Sequence, residues 1–82
     1  LTEERRKEMV KMAKEVAESG KIAVRNVRRA TLQEVKSLLK EKAISEDDEK
    51  TAEDRVNVLT EKYVSSIQSI LDAKIKDLQE VK

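Results

Sequence analysis

The segment Val24-Arg25-Asn26-Val27-Arg28-Arg29 holds the side chains best equipped to do chemistry in this chain. Arg25 lies three residues from Arg28 and four from Arg29, so on a helix all three share one surface. Like charges at those spacings repel by a few tenths of a kcal/mol per pair. A helix with a purely structural task interleaves acids at such positions. Here no Asp or Glu occurs from Ser19 to Gln33, a stretch that also contains Lys21. A guanidinium fork matches two phosphate oxygens at once. The chemistry on offer is therefore the clamping of a nucleic-acid backbone. Two blander readings of the same residues stay open: a solvated basic face, or salt bridges to acids on a neighbouring helix. No aromatic residue interleaves, which speaks against stacking on single-stranded bases. A rigid basic rod suits structured RNA recognised by shape and phosphate.

Other chemistries lack their parts. The 82 residues include no His and no Cys, which removes disulfides, thiol reactions, zinc fingers and histidine acid–base catalysis. No nucleophile, base and oxyanion constellation can be assembled, so no enzyme is expected. Neither a metal nor a cofactor is expected. Glu46, Asp47, Asp48 and Glu49 crowd together, but on a helix start they read as complements to the dipole; helical carboxylates do not wrap a cation as a loop does. Tyr63, the one aromatic residue, reads as a core residue with its hydroxyl at the rim. Asn26 lies off the basic surface and reads as solvated.

These side chains need a scaffold, and the composition specifies long helices. The chain is 38% hydrophobic and 43% charged, with one Gly and no Pro. Sheet turns would need Gly, Pro or Asn-Gly pairs, which are missing. No run of 18 apolar residues exists to span a membrane. The chain starts at Leu1 and enters helix-type sequence almost at once, so it reads as a piece of a longer protein.

Thr2 is a fair N-cap, followed by Glu3 and Glu4 at the positive end of the dipole. Small or apolar residues recur at Val10, Ala13, Ala17, Gly20, Val24, Val27 and Thr31, then at Val35 and Leu38. Their spacing of three and four marks a helical seam up to about Lys42, with a stutter after Thr31. A turn is expected at about 43–45. Ser45 then caps a second helix, with Asp48 placed to close a shortened capping box. Its stripe is Val56, Leu59, Tyr63, Ile67, Ile70, Lys74, Leu78 and Val81, to about residue 81. That spacing favours a nearly straight rod, with Lys74 snorkelling beside Leu71 and Ile75. The short connection makes the helices antiparallel neighbours. Gly20 sits in the seam, where it lets another helix come close.

The expected fold is all-α: a long antiparallel hairpin, one partial domain over residues 1–82. The second helix carries more apolar surface than the first can cover, including Val64, Leu71 and Ile75 beside its stripe. A third helix is expected in that groove, or a second copy of the chain.

Charge is divided along the chain. Residues 1–42 carry twelve Lys and Arg against seven Asp and Glu, while residues 43–82 carry six against ten. The net +1 hides a basic half and an acidic half. Around the first helix, Lys7, Lys11, Lys14, Lys21, Arg25, Arg28, Arg29 and Lys36 fall within about 100° of arc beside the seam. Glu4, Glu8, Glu15, Glu34 and Glu41 lie on another sector. The apolar face is too poor in large residues, and lacks Trp and Phe, for a membrane-surface helix.

Three segments together resemble a known family. Leu1-Thr2-Glu3-Glu4-Arg5-Arg6-Lys7, Ala23-Val24-Arg25-Asn26-Val27-Arg28-Arg29 and Ile44-Ser45-Glu46-Asp47-Asp48 look like the C-terminal part of ribosome recycling factor, in order and at about the right separation. The resemblance covers essentially the whole chain. It implies two of the three helices of an elongated three-helix bundle, without the first helix and without the α/β domain inserted after it. It also implies a non-catalytic role: binding the ribosome after termination and, with elongation factor G and GTP hydrolysis, separating the subunits. The family places the arginines matched by Arg25, Arg28 and Arg29 against large-subunit ribosomal RNA. Lys21 and Lys36 extend that surface by ridge geometry alone. Bacterial cytoplasm or an organelle is the implied setting. The alternative is a coiled-coil segment that self-associates into a bundle without binding RNA.

Overall fold

Backbone groups left unpaired at helix ends decide where this chain bends. At the start, the Thr2 hydroxyl accepts from the Arg5 N–H at 3.1 Å, and its carbonyl accepts from the Arg6 N–H at 2.9 Å. That satisfies donors a first turn leaves free. The computed structural model describes residues 1–80. In it, α1 spans Glu3–Lys40 and α2 spans Glu46–Glu80. No strand occurs among the described residues. The stripe position assigned to Val81 lies outside the described residues.

α1 closes in a Schellman motif. The Lys42 N–H donates to the Leu39 carbonyl and the Ala43 N–H to the Leu38 carbonyl, both at 2.9 Å. Lys42 itself takes φ 61°, the left-handed region in which a helix commonly ends on glycine. Three residues later the Ser45 hydroxyl accepts from the Asp48 N–H at 3.1 Å, while the Ser45 N–H donates to Asp48 Oδ2 at 3.1 Å. This is the reciprocal capping box, closed by the shorter Asp. The Ser45 backbone N–H, then its hydroxyl, hold the Asp48 carboxyl below the usual carboxylate range, against a small opposing effect of desolvation. A depressed pKa adds stability above the unfolded-state value; that contribution is lost as pH falls through the lowered one.

The helices run antiparallel, with Gly20 beside Ile67 and Arg28 beside Asn57. The result is a rod of 60 × 15 × 9 Å. Its radius of gyration is 18.5 Å, where a compact chain of this length would show about 12 Å. Only Ala17 and Leu78 are buried among the described residues, and both belong to the half away from the turn.

Much of the seam read off the sequence is covered. Ala17 and Leu78 are buried, and Val10, Ala13, Gly20, Val24, Thr31, Val35, Val56 and Ile67 are half-buried, but the covered sector is shifted from the expected one. Val27 and Leu38 are exposed, as are Leu59, Tyr63 and Ile70 on α2. Half-buried instead are Lys21, Arg28, Leu32 and Leu39 on α1, and Thr60, Val64, Leu71 and Ile75 on α2. The reason is geometric. Each apolar face is wider than one partner helix, and α2 sits toward the basic edge of the α1 face. Met12, Val16 and Val27 are therefore left with Leu59, Tyr63 and Ile70 on an open apolar flank. Lys74 borders this flank rather than lying beneath a partner. Gly20 does sit at a close approach: a β-carbon there would lie 3.4 Å from Ile67 Cδ1. That is ordinary van der Waals contact, so the glycine is compatible with the approach but not demanded by it.

Candidate nucleic-acid interface

On the flank opposite the apolar one, α1 contributes cations, and the α2 groups that accept from them are uncharged amides. Arg28 is half-buried, and its Nε–H donates to Asn57 Oδ1 at 2.8 Å. One turn or two away, half-buried Lys21 donates from Nζ to Gln68 Oε1. Gln68 is itself anchored, its Nε2 donating to Asp72 Oδ1 at 2.8 Å. Arg25 stands between Lys21 and Arg28, exposed, on the same groove. The far wall of that groove carries Asn57, Glu61, Ser65 and Gln68.

Of the eight basic residues on the ridge, five are expected to contact RNA, and the structure divides them. Lys21, Arg25 and Arg28 come together along the inter-helical groove. Arg29 is exposed, with Nη1 donating to Asn26 Oδ1 at 3.3 Å along its own helix. Asn26 is thus exposed, as read, yet serves as an acceptor for the ridge. Lys36 is exposed nearer the turn and does not border the groove.

Ion pairing follows a different distribution. Among the described residues, the carboxylate pairs within 4 Å are Arg5–Glu8 at 3.3 Å and Arg6–Glu3 at 2.9 Å, both in the first turns of α1. None of Lys21, Arg25, Arg28, Arg29 and Lys36 has such a partner there. Salt bridges to the acidic second helix, the alternative left open above, are therefore not what occupies the ridge among the described residues. Amide oxygens engage Lys21, Arg28 and Arg29 instead. An amide orients a cation without cancelling its charge, and each arginine keeps N–H groups for an incoming oxyanion.

Asp48, central to the acidic run 46–49, is engaged in capping. Among the described residues no group of three or more His, Cys, Asp or Glu is placed to hold a metal ion. No helix of the described residues is long and apolar enough to cross a membrane.

Sequence reading missed Asn57, Gln68 and Asp72. A signal existed: folding the chain back near residue 43 puts positions 57 and 68 opposite roughly 29 and 18, within a turn of Arg28 and Lys21. Two amides on an acidic helix, across from a run without acids, could have been paired from that register.

Comparison with known proteins bears on the whole chain. The family model described as ribosome recycling factor matches residues 1–78. A ribosome-recycling factor of Psychrobacter sp. (strain PRwf-1) is 52% identical over 81 residues. Those of Legionella pneumophila (strain Corby) and Caldicellulosiruptor bescii are 47% and 51% identical over the same length. Each alignment takes in 99% of this chain and 44% of the relative, so the chain spans less than half the length of the curated relatives it matches. A match over 78 of 82 residues, on an all-helical hairpin, establishes that the chain belongs to the ribosome recycling factor family.

Proposed function

We propose that this hairpin is the RNA-binding arm of a factor that disassembles ribosomes after termination. The ridge on α1 seats against large-subunit ribosomal RNA, with Arg25, Arg28 and Arg29 as the main contacts and Lys21 and Lys36 extending them. One observation carries the reading: Lys21, Arg25 and Arg28 line one groove, and no carboxylate of the described residues lies within ion-pair distance of them. Cations left unneutralised in a protein with ten acids in its second half are available to a polyanion. The contribution is binding and orientation rather than catalysis. Joint action with elongation factor G, in bacterial cytoplasm or an organelle, belongs to the longer protein, of which the apolar flank receives a third helix.

Co-sedimentation with large ribosomal subunits over a range of salt tests this. About three to four neutralised phosphates give a log–log slope of magnitude about 2–3 on the single-strand coefficient. Arg28→Ala should weaken binding and flatten that slope while leaving helicity unchanged. Unchanged binding at every salt concentration would remove Arg28 from the interface.

A second reading draws on the apolar flank, where Val16 and Ile70 are 72% and 70% exposed. Such a face can pair with a second copy as a four-helix bundle. Helicity that rises with protein concentration, with no affinity for RNA, would favour self-association as the hairpin's sole activity.

A further inference from the structure

We infer that α2 supplies positioning residues for the RNA contact: Asn57 and Gln68 hold Arg28 and Lys21 by neutral oxygens, fixing their direction while leaving their charge for phosphate. The inference rests on the ridge reading above and adds a role for a helix that carries none of the contacting cations.

The argument begins with the guanidinium. It is planar, with five N–H donors in a fixed fork. Asn57 Oδ1 takes the one on Nε, at 2.8 Å. That bond directs the Nε edge toward α2, and the paired donors on Nη1 and Nη2 remain for a bidentate contact. A carboxylate at position 57 could orient the same group, but it would also pair its charge. At position 68 the same device has a second layer. Asp72 holds the Gln68 amide through Nε2, and Gln68 offers its oxygen to Lys21. The acid therefore orients the lysine through an intermediary and makes no ion pair with it among the described residues. Long cationic side chains otherwise lose rotamer freedom when they bind. Here part of that ordering is complete before RNA arrives. The first turns of α1 show the contrast: Arg5 and Arg6 are held by carboxylates, and their charges are spent locally.

The test is a double-mutant cycle on the full chain, with large ribosomal subunits as the probe and affinity followed across a salt series. Asn57→Ala should weaken binding about three- to tenfold, the cost of ordering one long side chain. Its salt slope should stay unchanged, because no charge has been removed. In an Arg28→Ala background the same substitution should have no effect; a merely structural Asn57 would cost as much there as in the unaltered chain. Asn57→Asp should weaken binding and lower the slope by about 1, as for the loss of one phosphate contact. Ser65→Asp places the same added charge on the same groove, and its slope should change less. Circular dichroism checks each variant, and alanine is a better helix former than asparagine. If Arg28→Ala weakens binding while Asn57→Ala and Asn57→Asp bind like the unaltered chain, the positioning role is overturned and the RNA reading stands. If Arg28→Ala binds unchanged, the RNA reading has failed and the positioning role with it.

Discussion

The two flanks of the α1–α2 contact differ in what they leave unfinished. One is dry: Met12, Val16, Val27, Leu59, Tyr63 and Ile70 present apolar surface with nothing over it. The other is wet: Lys21, Arg25 and Arg28 face Asn57, Glu61, Ser65 and Gln68 across a groove, with Glu61 beyond ion-pair distance of all three. The dry flank is satisfied by any apolar partner of the right shape, because the hydrophobic effect has no direction. The wet flank has Lys21 and Arg28 each held by one amide oxygen, and keeps both charge and guanidinium donors for an anion. It calls for an anion and is indifferent to apolar surface. On the proposed reading, a single pair of helices packs into a longer protein on one side and receives RNA on the other.

Leu78→Ala would break the comparison at its root. Leu78 is 4% exposed and helps hold together the contact both flanks share. Its truncation should destabilise the hairpin by about 2–3 kcal/mol, read as a shift in the urea midpoint. Affinity for large subunits should fall with it, since Asn57 and Gln68 act only while the helices are paired. Full affinity in a destabilised hairpin would show that α1 binds alone.

A smaller effect separates the flanks. Val16→Ser combined with Ile70→Ser changes only the dry side. Any dependence of helicity on concentration should disappear, while subunit affinity stays within about twofold because no phosphate contact is lost. A loss as large as that from Arg28→Ala would mean that the flanks are not separable.

The smallest change lies between them. Gly20→Ala gains up to about 1 kcal/mol of helix propensity. The added β-carbon would meet Ile67 Cδ1 at 3.4 Å, a contact the core can accept. The thermal midpoint should rise by a few degrees. A fall would show that the helices cannot yield there and that the glycine is required for their approach.

Local signals in this chain were legible, and relational ones were not. Thr2, Ser45 and Asp48 announce helix starts because a cap acts on its own neighbours, and the structure shows those bonds. The all-helical hairpin followed from composition and one break. Lys42 gave no such notice, since its left-handed φ is imposed by the turn rather than preferred by lysine. Val27 and Leu38 look like seam residues because periodicity identifies a face without identifying where on it the partner sits. Leu59, Tyr63 and Ile70 look like seam residues for the same reason, yet Val64 and Leu71 are the ones half-buried. The cationic surface was readable as a run without acids. Its amide partners were not, because Asn57 and Gln68 acquire meaning only from the register of one helix on the other.

The 60 Å length of the hairpin has a mechanical consequence. Two parallel struts bend easily when they can slide past each other, and stiffly when rungs prevent the sliding. The bonds from Lys21 to Gln68 and from Arg28 to Asn57 are such rungs, near the middle of the span. The turn at 41–45 is a third, fixed by covalent bonds. Between that turn and Lys21 the pair resists shear and acts as a beam. A load on its tip is carried along the beam instead of being absorbed by it, and a small rotation at one end becomes a larger displacement at the other.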